Sequence, residues 1–214
     1  MNKRIFVTAT NTNIGKTHTA KSILREFASR GLRVGAIKLI ETGVEGSAPD
    51  AESLLSVLKE LNPEFRDVVL EEVLPISYSL GASPFVASGN APLDLEKLDA
   101  AVENLEKLCD VLIMEGAGGL YVPIDEERMM IDLISHFKAN ALLVTHCSLG
   151  CVNDTLLSEK ALREYGLKYA TAFNCRENEE SFKEISQPYF SKTRKQVLKV
   201  DYDIDTICDV LYNL

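Results

Sequence analysis

The stretch VTATNTNIGKTHTAKSIL, Val7 to Leu24, decides the reading of this chain. Just before it, Arg4 to Val7 has the apolar run of a buried parallel strand; within and after it, Lys16 to Ser29 repeats apolar residues at helical spacing through Ala20, Ile23, Leu24 and Phe27. A strand that breaks into small polar residues and reopens as a helix at Gly-Lys-Thr is the local form of a phosphate-holding turn. The first amides of a helix lack intrahelical partners and carry partial positive charge, so an anion can rest on them. Gly15 lets the backbone come close, and Lys16 brings a point charge to the outer phosphates. The Thr17 hydroxyl is placed to ligate a magnesium ion bridging them. Thr10, preceded by Ala9, stands where the usual G-x-x-x-x-G-K-S/T pattern has its first glycine, so the strand-turn-helix context carries the reading.

Around that turn the chain alternates strand and helix. Strands are expected at Ile5 to Val7, Val34 to Ile40, Val111 to Met114, Ala141 to Thr145 and Tyr169 to Phe173. Helices are expected at Lys16 to Ser29, Asp50 to Leu61, Leu95 to Leu108, Met129 to Phe137 and Asn153 to Tyr165. This pattern predicts an α/β fold, a mainly parallel sheet with helices on both faces, as a single domain over residues 1–214. Ligands of such sheets bind beyond the carboxyl ends of the strands. Two further motifs follow strands as that rule requires. KLIETG, Lys38 to Gly43, ends its strand on a lysine and adds the Thr42 hydroxyl. EGAGGLYVP, Glu115 to Pro123, ends its strand on an acid beside Gly116, Gly118 and Gly119. An unpaired carboxylate at the end of a buried strand is costly, and magnesium is a natural partner for it. Asp50, opening a helix after GSAP, reads equally as a helix cap or a metal ligand.

With 214 residues, 46% of them hydrophobic, the chain can bury a full core. A net charge of -9 argues against a nucleic-acid backbone or an anionic membrane as partner. No run is long and apolar enough to span a bilayer, and no signal peptide precedes the first strand, so a cytosolic protein is expected. The five cysteines, Cys109, Cys147, Cys151, Cys175 and Cys208, form no C-x-x-C pair and read as reduced, mostly buried thiols. His146, Cys147 and Cys151 fit no zinc spacing.

Taken together, FVTATNTNIGKT, KLIETG, PDAESL, SLGASPFVA, MEGAGGLYVP and SLGCVNDTLLSEKAL, in this order and spacing, resemble the dethiobiotin synthetases, P-loop enzymes of biotin synthesis. The likeness spans roughly the first 175 residues. It implies ATP- and Mg2+-dependent carboxylation and ring closure of 7,8-diaminononanoate with CO2, through a carbamate and a carbamic-phosphoric anhydride. By that resemblance Asn13, Ile14, Gly15, Lys16, Thr17 and His18 hold the nucleotide with Glu115, Gly116, Ala117, Gly118, Gly119 and Asn174. Thr17, Asp50 and Glu115 surround magnesium, which lifts the metal reading of Asp50 above the cap. Thr12, Lys16 and Lys38 face the reacting groups. Thr42, Ser83, Pro84 and Gly118 lie along the substrate channel. Leu149, Gly150, Cys151, Val152 and Asn153 offer a helix start to the substrate carboxylate, from the neighbouring subunit of a homodimer.

Two segments depart from the family pattern. Leu39 follows Lys38 where the family has proline, and VDYDIDTICDV replaces the segment that helps to hold the base, which predicts weak discrimination among nucleotides. A ParA- or MinD-like ATPase switch is the rival of the same superfamily. Its signature second lysine falls where this chain has Asn11, and no amphipathic membrane-targeting tail is expected. A synthetase-like module of a glutamine-dependent amidotransferase would need a further catalytic domain, for which no room is expected.

Overall fold

The computed structural model describes residues 3–194 and 196–214. Strand β1, Lys3–Ala9, is its axis: Ile5, Phe6, Val7, Thr8 and Ala9 are all wholly buried. Successive side chains of a strand point to opposite faces, so burial of consecutive residues means that both faces of the sheet are covered. Strands β2 (Val34–Lys38), β5 (Val111–Gly119), β6 (Asn140–His146) and β7 (Tyr169–Asn174) join β1 in the order β2-β5-β1-β6-β7, every pairing parallel. Register aligns the carboxyl ends, with Val7 and Lys38 both opposite Glu115. The phosphate-loop candidate and Lys38 therefore leave the sheet at one edge beside Glu115, whose own strand runs on past the expected end at Met114 to Gly119.

The covering helices α1 (Lys16–Ser29), α2 (Pro49–Leu61), α5 (Leu95–Glu106), α6 (Met130–His136) and α7 (Cys151–Glu164) lie where periodicity places them, with ends shifted by up to two residues. The expected strand Val34 to Ile40 is instead two strands. After Leu39 N donates to Glu115 O at 3.2 Å, the chain leaves β5, and β3 (Ile40–Thr42) pairs in parallel with β4 (Ile76–Tyr78) as a separate ribbon. Short helices α3 (Leu70–Val73), α4 (Pro84–Ala87), α8 (Glu179–Ile185) and α9 (Gln187–Thr193) add to the expected ones; at one or about two turns each they carry little periodicity.

The C-terminal segment, for which no element was expected, forms helix α10 (Ile204–Asn213). Its Ile207, Cys208 and Leu211 are fully buried, and it packs against α1 and β7 as core. The thiol expectation also changes, because Cys147 and Cys175 are joined in a disulfide with their Cα atoms 5.0 Å apart. His146 and Asn174 are register partners on β6 and β7, so the residues after them emerge side by side. Cys109, Cys151 and Cys208 are free and buried. Beneath the disulfide, Phe173 packs on Phe190 and Phe182 at 4.7 and 5.0 Å between ring centroids, fastening α8 and α9 to β7.

One polar side chain ties the β2 end of the sheet together. Asn62, 1% exposed, donates to Val34 O (2.9 Å) and Leu108 O (3.0 Å) and accepts from Glu64 N (3.1 Å). Asn62→Ala leaves these backbone groups unpaired at roughly 1–3 kcal/mol for each buried one. Urea unfolding should therefore show a loss of at least about 2 kcal/mol; a loss below about 0.5 kcal/mol, ordinary for a surface site, would contradict that accounting.

Candidate functional site

The turn after β1 closes on Gly15, which starts α1 at φ +94°, a left-handed conformation that favours glycine. A Cβ there would also overlap the Asn174 side-chain amide. Asn174 Nδ2 donates to Ile14 O at 2.8 Å, so β7 braces the loop from the side. Gly119 is constrained in the same way, because a Cβ would lie 3.2 Å from Thr10 O. Lys16 is largely buried and donates from Nζ to Asn11 O at 3.3 Å, within its own loop. Burial, reinforced by the Lys38 charge nearby, lowers its pKa to about 8.

Thr17, Asp50, Glu115 and Lys38 form one bonded cluster. Thr17 Oγ1 lies 2.8 Å from both Asp50 Oδ1 and Glu115 Oε1. Lys38 Nζ donates to Asp50 Oδ2 at 2.8 Å and to Glu115 Oε1 at 2.5 Å. Glu115 is wholly buried, and its Oε2 has no partner. Burial works against the charge on Lys38, but attraction by Glu115 and Asp50 outweighs it and raises the lysine's pKa. Asp50 shows the same balance with opposite sign: burial opposes its charge, Lys38 overrides it, and the pKa is lowered.

The cap reading of Asp50 is overturned. Its carboxylate faces Thr17 and Lys38, while the first amides of α2 are held by Glu41, which accepts from Asp50 N at 3.1 Å and Ala51 N at 3.0 Å. Glu41 is a site residue that sequence reasoning missed. The signal was a helix start whose N-cap, Ala48, has no side-chain acceptor.

These oxygens suit a hard divalent cation: two carboxylates, one hydroxyl, and a buried carboxylate oxygen still unpartnered. Among the described residues no group of three or more His, Cys, Asp or Glu is poised to hold a metal. A cation here would take its remaining ligands from water and phosphate, which is the habit of Mg2+.

A cavity of about 460 Å³ brings together Thr12, Asn13, Gly15, Lys16, Thr17, Lys38, Thr42, Asp50, Ala117 and Gly118. Asn13, Ile14, Gly15 and Asn174 line a neighbouring cavity of about 690 Å³ with Arg176, His146 and Asp154. In the pocket next to it, which Arg176 also lines, Asp201 places its Oδ1 2.8 Å from His18 Nε2, so the divergent C-terminal segment does reach α1. There Glu179 is saturated by Lys199 (3.2 Å) and Tyr202 (2.8 Å), whereas Asn174 Oδ1 is buried without a partner. Ser83, Pro84 and the stretch Leu149 to Asn153 line neither cavity. Cys151 is fully buried, and its amide already donates to Ser148 O at 3.1 Å, so it is not a free donor of the helix start. Leu149 is 81% exposed.

A sequence profile described as an AAA domain matches residues 3–205. The ATP-dependent dethiobiotin synthetase of Sulfurovum sp. (strain NBC37-1) is 42% identical over 186 residues, 87% of this chain and 89% of that one. The chain belongs to the dethiobiotin synthetase family. The enzyme of that name from Wolinella succinogenes is 34% identical and covers 98% of both chains, so the likeness takes in the divergent C-terminus. Among solved structures, a plasmid partition protein from Borrelia burgdorferi superposes with a TM-score of 0.59 at 12% identity, covering 100% of this chain and 99% of its own. At that identity it shows the shared fold.

The Lys16 pKa has a consequence for nucleotide binding by this synthetase-family chain. A protonated Lys16 would attract a triphosphate; with a pKa of about 8 it holds its proton below that pH and loses it as pH rises. A bound polyanion raises that pKa again, so binding takes up a proton near neutrality and weakens in alkali. Calorimetry in buffers of differing ionisation enthalpy should show proton uptake, with affinity for a non-hydrolysable ATP analogue falling roughly fivefold or more between about pH 7.5 and 9. Affinity that is flat across this range would contradict the buried-lysine geometry.

Proposed function

We propose that this chain acts, as a single cytoplasmic domain, as an ATP-dependent dethiobiotin synthetase that joins CO2 to 7,8-diaminononanoate. The observation that carries the reading is the convergence on one cavity of two lysines, Lys16 and Lys38, with the oxygens of Thr17 and Asp50, bonded from behind by the wholly buried carboxylate of Glu115. Two anions must be brought into line here, a carbamate and a triphosphate. Cations aimed at the oxygens whose charge shifts are what that task needs.

One amine of the substrate adds to CO2 and loses a proton, giving a carbamate. A carbamate oxygen attacks the γ-phosphorus of ATP, the bond to ADP breaks, and the carbamic-phosphoric anhydride is left. The second amine attacks the anhydride carbonyl, phosphate departs, and the cyclic urea closes. Lys38 holds the carbamate oxygens, and Thr12 borders the reacting end of the cavity. Lys16 and the amides from Asn13 to Thr17 grip the phosphates. Thr17, Asp50 and Glu115 would hold Mg2+, which when bound neutralises charge on the phosphate oxygens. No protein nucleophile is required, because substrate atoms form every new bond. The protein contributes positioning, which supplies up to about 7–11 kcal/mol in favourable cases.

Asn174 Oδ1 reads the base. Its amide is oriented by the bond from Nδ2 to Ile14 O, so the unpartnered acceptor suits an exocyclic amino group. A homodimer belongs to the same reading: Thr42, Ser83 and Pro84 would border the diamine, and Gly150, Val152 and Asn153 would meet its carboxylate across the interface. Supporting it, Tyr121 and Leu157 are large, exposed and line one groove, with Leu149 exposed just before the helix that carries Leu157. The switch reading rests on fold likeness; at its signature position this chain has Asn11, whose carbonyl accepts from Lys16.

The test is an incubation with diaminononanoate, bicarbonate, Mg2+ and ATP, read by mass. Dethiobiotin should form with one ADP per ring, and Lys16→Ala should lower kcat/KM by about a thousandfold, roughly 4 kcal/mol. Hydrolysis of ATP that ignores the diamine and yields no cyclic urea would favour the switch instead.

A further inference from the structure

The Lys38 ammonium lies between the two carboxylates that a divalent cation would need. It is 3% exposed and bonded to Asp50 Oδ2 and to Glu115 Oε1, the same Glu115 oxygen that lies 2.8 Å from Thr17 Oγ1. Its third proton points at Gly116 O, 3.4 Å away. Its donors are thus directed at acceptors, and still Glu115 Oε2 has no partner. An ammonium is a point charge with three donors, whereas a hard divalent ion collects more oxygens around itself. Lys38 therefore neutralises this oxygen set without satisfying it.

Two cations at hydrogen-bond distance from one buried carboxylate oxygen would repel each other strongly in a low-dielectric site. We propose that Lys38 and a divalent cation compete for the same seat, so that Lys38 is released to the reacting end of the cavity only when the cation takes Asp50 and Glu115. The inference rests on the magnesium-nucleotide reading of the site and gives Lys38 two mutually exclusive partners. It also links the two halves of the site: the acceptor side gains its lysine when the phosphate side is metal-loaded. Linkage makes this reciprocal, so an anion that holds Lys38 on the reacting side tightens metal binding.

The test is direct metal binding by the nucleotide-free protein, with Mn2+ as the probe and free Mn2+ counted by electron paramagnetic resonance. Lys38→Met should bind one Mn2+ at least tenfold more tightly than wild type. Lys38→Gln, which can still donate to the carboxylates if the Met variant does not fold, should also bind more tightly. Lys38→Arg keeps a cation in the seat and should bind no better than wild type. Lys16→Met separates contact from general electrostatics, since Lys16 bonds to neither carboxylate, and it should gain clearly less than Lys38→Met. Equal gains at both lysines, or unchanged or weaker binding in the two neutral Lys38 variants, would overturn the proposal. Absence of dethiobiotin in the product assay would instead remove the assigned reaction and leave the Mn2+ comparison standing.

Discussion

A carboxylate with no solvent contact, Glu115 midway along the strand β5, sets the terms for the site. Burying such a charge is expensive unless it is paired, and breaking a buried pair costs more than the pair contributes. Here the partner comes from the adjacent strand in register, since Lys38 stands opposite Glu115 on β2 and β5. The helix after β1 adds Thr17, and α2, held at its start by Glu41, adds Asp50. Four segments distant in sequence are thereby fixed to one point. Parallel pairing makes that possible, because it delivers the strand ends to a common edge, where unpaired amides and loops gather.

Neutralisation by a lysine rather than by the backbone gives the site its chemical range. The same oxygens that hold Lys38 are the ones a divalent cation would use, and in the proposed reaction Lys38 is also the cation that would meet the carbamate. The phosphate side follows a parallel logic, since Lys16 rests on Asn11 O within its own loop. Both lysines are held by acceptors of the protein and sit in a low-dielectric cavity. Preorganised charges of this kind act more strongly than they would in water.

Much of this was legible in the sequence where pattern and chemistry coincide. Val7 to Leu24 gave its strand, turn and helix because small polar residues interrupt two clean periodicities, and Lys38 and Glu115 were conspicuous as charges ending apolar runs. The branching of β3 away from β2 was not legible, because Val34 to Ile40 is one apolar run and the change of partner at Leu39 depends on β5. Glu41 was hidden for a related reason: its role is to cap a helix nine residues on, visible only once the chain is folded. The Cys147 to Cys175 bond is likewise a product of strand register and has no local spacing signal. The C-terminal segment read as a departure from the family, yet it folds back as α10 and brings Asp201 to His18.

In the proposed reaction a carbamate, and not water, attacks ATP at this site. Oxygen tracing tests it most directly. With 18O-labelled bicarbonate supplied with diaminononanoate, Mg2+ and ATP, and quenched before the label exchanges with solvent, the carbamate oxygen that attacks phosphorus leaves with the phosphate when the ring closes. The account predicts one 18O in the released phosphate for each dethiobiotin formed. Released phosphate that carries no 18O would contradict it.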